Sequence, residues 1–494
     1  MELRIRFLKW SAGVPVAMLH SKTAAKIGVH ANDRISIKTL SKKLEEVSTV
    51  VDIIGNKVIK TGEIAVSSEL KKRLGLRVGQ KVEINIASAS DSLIFIKKKL
   101  NNKKLSESEI SRIIQDVVDN SLSESEIALF VSSMYKHGMS MKETIYLINS
   151  IVKHGNKLNL KSKNIADKHS IGGVAGNRTT PIIVPICAAA GLIMPKSSSR
   201  AITTSAGTAD VIETIARIEF SIPELKKIVR KTNACLVWGG SLGIVPADSK
   251  IIKVEKMLKI DPEAQLLASI MSKKLAAGSR YIIIDIPYGK HAKVEKAKAL
   301  DLKKKFEYLG KHFRKKLKVV LTEAKEPMGK GVGPALELID VINILDPKLE
   351  GPQDLEKKSL LLAGELLELA GKAKKGRGRK LAEEILSSGK AFEKFKQIIK
   401  AQGGKLNEIV LGKFQKNVIV KKSGKVIEID IKKINSLART AGCPADKFAG
   451  LFLHAKTGEK LNKGNRIITI YAESKNRLKQ AIIQYNKLKP LKIK

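Results

Sequence analysis

Cysteine, aromatic residues and acidic charge are all scarce in this 494-residue chain, and each shortage closes off a class of protein. The three cysteines, Cys187, Cys235 and Cys443, are too scattered for a disulfide framework or for paired metal ligands. The eight histidines show no HExxH and no other zinc-like spacing, so no metal is expected. Aromatics make up only 4% of the residues, thin for the base-stacking platforms of a single-strand nucleic-acid binder. No run reaches the roughly 18 continuous apolar residues of a membrane-spanning helix. The opening MELRIRFLKWSAG has no apolar signal core and no small-residue cleavage site, which predicts a soluble, cytoplasmic protein with no membrane partner. Acidic residues number 48 against 92 Lys and Arg, a formal charge of +44. Such an excess is the footprint of a nucleic-acid binder. The lysines run from end to end, however, and a lysine-rich, salt-tolerant or heat-adapted surface is the alternative.

What is present is globular: 43% hydrophobic and 28% charged residues, over a length of about three domains. Residues 1–86 predict a small β-rich domain, because LRIRFL, ISIKTL, VSTVVDIIG, EIAVS and KVEINIAS are short alternating or β-branched runs. From Ser106 to Lys153 the period turns helical, and SESEI at 106–110 and 123–127 predicts two helix starts with Ser caps and Glu in the first turn. From Asn164 strand-like and helix-like segments alternate: NIADKHS, a helix near 181–191, CLVWGG (235–240), a helix over 262–277, YIIIDIP (281–287) and a helix over 291–316. This alternation predicts an α/β domain. The basic GKAKKGRGRK (371–380) reads as a solvated turn, and the chain turns β-rich again from about 405. The domains are therefore 1–86, a helical domain 87–163 joined by about 246–277, an α/β phosphate-binding domain 164–404 and an appendage 405–494.

Two polar loops stand out. Lys168-His169-Ser170-Ile171-Gly172-Gly173-Val174-Ala175-Gly176-Asn177-Arg178-Thr179-Thr180 follows a strand and precedes a helix. Glycines bring backbone N–H groups close to a ligand, and a nest of them attracts anions. It is neither a P-loop nor GxGxxG, so phosphate binding and a plain tight turn both remain open. His169 is either a proton donor or a hydrogen-bonded loop residue. The second loop, Ser197 to Asp210, carries seven hydroxyls and Arg200, groups that donate to phosphate oxygens. Its alternative is a helix cap with an exposed Ser/Thr loop. Two such loops, both after strand-like segments, favour a phosphorylated ligand.

KHSIGGV (168–174) resembles the phosphate loop of the thymidine/pyrimidine-nucleoside phosphorylase family, and SSRAITTSAGTADVIE (198–213) resembles that family's signature. VPAD (245–248), ASIMSKKLAAG (268–278), GPALELIDVINIL (333–345) and AGCPADKFAGLFLHAKTGEKL (441–461) keep the family's order, so the resemblance spans about residues 88–494. It implies a multidomain α/β protein of the type II nucleoside phosphorylase fold. A helical domain would face a mixed α/β domain across a cleft, between a small β-rich N-terminal domain and a small C-terminal β-rich one. The family's pyrimidine-holding arginine is replaced here by Val254, and the leader is extra. Both departures resemble the archaeal branch that cleaves nucleoside 5′-monophosphates.

That branch implies a pentosyltransferase converting AMP and phosphate, with CMP and UMP as further candidates, to free base and α-D-ribose 1,5-bisphosphate. The reaction belongs to AMP degradation and salvage feeding ribulose 1,5-bisphosphate formation. Phosphate is a co-substrate and no cofactor is implied. By resemblance Asp261 is the proton donor; Gly173, Ser199, Arg200, Ala201, Ile202, Thr203, Thr204, Thr208, Ser269 and Lys293 line the nucleotide site; Lys168 and Ser170 hold phosphate. Read alone, Asp261-Pro262-Glu263 is a helix start, and Lys293 is one surface lysine among many. Family members are at least dimeric, so a homo-oligomer is expected, with nucleic acid not required. The competing readings are a pyrimidine-nucleoside phosphorylase and a basic nucleic-acid binder with a vestigial cleft.

Overall fold

In the computed structural model, which describes residues 1–8, 10, 15–40, 45–55, 58–87, 90–202, 204–406 and 409–494, the chain forms two compact units. One comprises Met1–His154 with Pro246–Ser269, the other Gly155–Val245 with Ile270–Lys494.

The first unit opens with a closed six-stranded barrel made of β1 (Glu2–Phe7), β2 (Val16–His20), β3 (Arg34–Thr39), β4 (Glu46–Ile54), β5 (Glu63–Val66) and β6 (Lys81–Ile86), in the order β1-β5-β2-β4-β3-β6. The period-2 pattern explains it: Leu3 and Ile5 are buried while Glu2 and Arg4 are exposed. Closure leaves no free edge. Two one-turn-and-more helices, α1 (Ser21–Ile27) and α2 (Ser68–Leu74), interrupt the strands and were not apparent in the sequence.

A helical bundle follows: α3 (Ser92–Leu100), α4 (Glu107–Val118), α5 (Glu124–His137) and α6 (Met141–Lys153). The two SESEI segments open α4 and α5 with full capping boxes, Ser106 with Glu109 and Ser123 with Glu126. Each Ser accepts from an otherwise orphaned N–H while its Glu reaches back to the cap. A third box, Ser140 with Glu143, opens α6.

The second unit then runs β7 (Ala166–Ser170), α7 (Thr180–Ala189), β8 (Met194–Ser198), α8 (Thr208–Ile212), α9 (Ile222–Thr232) and β9 (Ala234–Trp238). The chain returns to the first unit as α10 (Pro246–Leu258) and leaves it inside α11 (Glu263–Ala276), whose residue Ser269 is the last of that unit. Lys250 on α10 anchors it to the bundle, donating to the carbonyls of Val117 and Val118 at 2.7 and 2.8 Å. A cation at the C-terminal end of α4 suits the negative pole of that helix. Val254, where the resemblance expects a base-holding arginine, is buried in α10.

Two further strands, β10 (Tyr281–Tyr288) and β11 (Lys316–Glu323), complete a parallel sheet β11-β10-β7. A bridge between Ile165 and Ile193, with Ala166 N donating to Ile193 O at 2.9 Å, carries it on to the parallel pair β8-β9. Between β10 and β11 lies α12 (Lys296–His312), five residues shorter at its start than the pattern predicts. Residues 289–294 fold back instead, Gly289 N donating to Val294 O at 3.1 Å.

The C-terminal sheet, centred on strands 450–453 and 466–472, takes Gly331–Val332 as its edge strand. The appendage thus begins its pairing well before residue 405. It also contains a helix, Ile431–Ala441, inside a stretch that reads as β-rich. Among the described residues no helix is long and apolar enough to cross a membrane.

Candidate active site

Three loops leave the carboxyl ends of parallel strands: 171–179 after β7, 199–207 after β8 and 289–295 after β10. The C-terminal edge of an open α/β sheet is where such folds bind ligands. These are the two polar loops and the segment carrying Lys293.

The floor beneath them is lined by buried lysines. Lys168, Lys196, Lys274 and Lys358 are all buried, as are Asp167 and Asp285. Asp167 meets Lys274 at 2.7 Å and Lys196 at 3.3 Å, while Asp285 meets Lys358 at 3.0 Å and accepts from Thr322 Oγ1 at 2.7 Å. Burial opposes ionisation of both carboxyls, but their lysines outweigh it and hold each below the ordinary carboxylate range. Lys168 differs. Its Nζ donates to Thr179 Oγ1 at 2.5 Å, and no carboxylate lies within ion-pair distance among the described residues. Burial, helped by Lys358, Lys196 and Arg178 and opposed by Asp285, pulls its ammonium down to about 7. A buried lysine at that value gains much from an arriving anion.

Beside Lys168, Ser170 Oγ accepts from Asn177 Nδ2 at 3.3 Å. Gly172, Gly173 and Gly176 all have φ between +71° and +91°, the region where glycine is free and other residues are strained. Gly173 also presses against the Lys293 segment: a Cβ there would lie 2.7 Å from Lys293 Cβ and 2.9 Å from its backbone nitrogen. So the fold-back at 289–294 places Lys293 directly against the first loop. Gly173→Ala is expected to cost about 1–3 kcal/mol through this strain and overlap and to displace Lys293. Thermal unfolding and the KM for substrate check it, and an unchanged KM would separate Lys293 from the site.

His169 has neutral chemistry here. Burial, then Lys274, Lys196, Lys273 and Lys168, hold its ring well below the ordinary histidine value. These surroundings disfavour the imidazolium, so the ring is a poor proton donor.

Arg178, within the first motif but given no role in the sequence, joins the loops. Nη1 donates to Thr208 Oγ1 at 3.1 Å, Nη2 to Ala206 O at 2.9 Å, and Nε pairs with buried Glu337. Asp210 draws the second loop closed, accepting from Ala201 N at 2.7 Å and Gly207 N at 2.8 Å. Gly207 packs so closely that a Cβ would fall 2.5 Å from Ser199 O.

Arg200 is arranged differently from the expected phosphate fork. Its guanidinium is bidentate to Glu213 at 2.5 and 2.8 Å, reaches Asp210 and Glu219 at 3.4 Å, and stacks 4.9 Å over Trp238. Its hydrogen bonds to Glu213 and the surrounding carboxylates raise its pKa further. A bidentate contact with a phosphate through both Nη atoms requires exchange with Glu213. Ile202 is exposed, Thr204 is buried with Oγ1 on Ala206 O at 2.7 Å, and Thr203 lies outside the described residues.

Asp261 and Ser269 belong to the first unit. Asp261 is exposed in the turn before α11, where Lys259 takes φ +55° and the Pro262 carbonyl accepts from Leu266 N at 2.9 Å. Ser269 lies on α11, half-buried. The buried lysines other than Lys168, and the acids that hold them, escaped sequence reading. One signal was present: Lys196 interrupts the apolar strand LIMPK.

The chain is similar to known proteins along its whole length. Residues 162–392 match a glycosyl transferase family a/b domain, 94–155 the helical bundle domain of that family, and 425–491 a pyrimidine nucleoside phosphorylase C-terminal domain. A solved anthranilate phosphoribosyltransferase from Thermus thermophilus shares the fold, with a TM-score of 0.52 and 16% identity over 63% of this chain and 99% of its own. AMP phosphorylases from Pyrococcus abyssi and Pyrococcus horikoshii are 47% and 45% identical, each over 100% of this chain and 98% of its own length. The AMP phosphorylase of Methanococcus aeolicus is 39% identical over 99% of this chain and 97% of its own. With barrel, bundle, sheet and appendage all covered by these alignments, the chain belongs to the AMP phosphorylase family.

Proposed function

We propose that the protein catalyses phosphorolysis of AMP, giving adenine and α-D-ribose 1,5-bisphosphate, with CMP and UMP as further substrates. The observation that carries this reading is Lys168: a buried lysine with no carboxylate in ion-pair range among the described residues, at the mouth of a glycine loop. The family resemblance supplies the substrate.

The chemistry sets what the residues must do. An oxygen of HPO4²⁻ forms a bond to C1′ as the C1′–N bond breaks, through an oxocarbenium-like state. The base takes a proton at the departing ring nitrogen, and the hydrogen carried in by HPO4²⁻ balances it overall. Lys168 and Ser170 hold the attacking anion. Gly173, Ser199, Ala201, Ile202, Thr203, Thr204, Thr208, Ser269 and Lys293 bind the nucleotide, and Arg200 joins them on release from Glu213. Fixing phosphate beside C1′ is worth several kcal/mol, of order 7–11 in well-aligned cases. Asp261 donates the proton, since an anionic purine is a poor leaving group. No metal or cofactor enters the scheme. A cytoplasmic homo-oligomer, at least a dimer, completes the reading.

Lys168 gives this scheme a pH signature. Only the ammonium attracts an anion, so its charge is present below about pH 7 and lost above it. Sulfate, which does not titrate in this range, is expected to inhibit uniformly at low pH and to weaken by up to about tenfold per unit above pH 7. Inhibition constants measured against pH check this, and a flat profile would remove Lys168 from the anion site.

A further inference from the structure

The second and third loops are both held by one short stretch of the C-terminal domain, Glu428 to Arg439. Asn435, buried on the helix Ile431–Ala441, accepts from Ser205 N at 3.0 Å. Arg439 lies four residues on, hence on the same helical face. Its Nη2 donates to Thr204 O and to Ile202 O, each at 2.9 Å. Thr204 C=O and Ser205 N–H are the two ends of a single planar peptide group, which point in opposite directions. The helix therefore grips that peptide at both ends and fixes its rotation. At the other end of the stretch, Glu428 accepts from His291 Nε2 at 2.6 Å and Lys290 Nζ at 3.0 Å, and Asp430 lies 3.5 Å from His291 Nδ1. His291 stands two residues before Lys293. Two of the segments proposed to touch the nucleotide are thus anchored to the same twelve residues, while among the described residues Lys168 and Ser170 of the phosphate loop bond Thr179 and Asn177 instead.

We propose that Glu428–Arg439 is a positioning element for nucleotide recognition, with Arg439 setting the second loop and Glu428 setting the Lys293 segment. This rests on the reading of those two loops as the AMP site. It predicts an asymmetry between the two substrates, because the stretch bonds the second loop and the Lys293 segment directly, whereas Lys168 and Ser170 bond Thr179 and Asn177. The charge-assisted pair of bonds from Arg439 is of a size that shifts binding about ten- to hundredfold.

Steady-state kinetics of the full chain test it. Arg439→Met is expected to raise the KM for AMP at least about tenfold, with the KM for phosphate, kcat and Tm nearly unchanged. Arg439→Lys, whose ammonium can still meet both carbonyls, restores most of the loss. Glu428→Gln is expected to raise the KM for AMP as well, independently of the first variant. An unchanged KM for AMP in both Met and Gln variants overturns the proposal. So does a fall in kcat with both KM values constant, which is the mark of a merely structural defect. Wild-type protein that does not turn over AMP at all defeats the nucleotide reading itself, before any variant is compared.

Discussion

Asp261→Asn lowers kcat by about 10²–10⁴ while AMP still binds with nearly its original affinity. That is the usual weight of a positioned general acid, and adenine needs one because its ring anion leaves poorly. The substitution keeps size and hydrogen-bonding shape, so the loss isolates proton donation. Asp261 is exposed, and the first intrahelical bond of α11 is received by the Pro262 carbonyl. A variant of equal stability is therefore expected, and the effect should sit in kcat with little change in the KM for either substrate. A kcat within tenfold of wild type would move the acid elsewhere. Neutral His169 is a weak replacement, since its surroundings already disfavour the charged form.

Lys168→Met moves activity and stability in opposite directions. The kcat/KM for phosphate falls by about 10²–10³, the scale of losing one buried group that stabilises developing charge. Stability holds or rises. Among the described residues the buried ammonium has one hydroxyl partner and no carboxylate within range, so its desolvation is poorly offset. Methionine fills a similar volume without that penalty. Asp285 keeps Lys358 at 3.0 Å and Thr322 at 2.7 Å, so the substitution does not strand a buried carboxylate. Denaturant midpoints together with initial rates check both halves. A large loss of stability would mean that Lys168 is a structural ion, not a waiting anion site.

The sequence disclosed local features best where one residue type carries the physics. Leu3 and Ile5 alternate with Glu2 and Arg4, and a strand follows. Ser106 and Ser123 precede Glu109 and Glu126 at capping-box spacing, and helices start there. The glycines of the first loop occupy left-handed backbone where only they are unstrained. What stayed hidden depends on residues far apart in sequence. The helix Ile431–Ala441 lay unseen between two strand-like runs, and its Asn435 and Arg439 bond carbonyl and amide groups some 230 positions earlier. Lys196, Lys274 and Lys358 are buried, yet in a chain with 92 Lys and Arg composition cannot mark three of them as interior. The sequence around Arg200 suggests a phosphate fork because bidentate geometry suits phosphate and carboxylate alike; Glu213 takes the fork in the fold. Only tertiary structure separates those outcomes.

In the proposed reaction phosphate attacks the sugar of an intact nucleotide. Incubation of the purified chain with AMP and radiolabelled phosphate, followed by separation of the products, tests it directly. Free adenine is expected in equal amount to a doubly phosphorylated pentose carrying the label at C1. AMP left intact, with label entering a singly phosphorylated pentose in parallel incubations with thymidine or uridine, would contradict it.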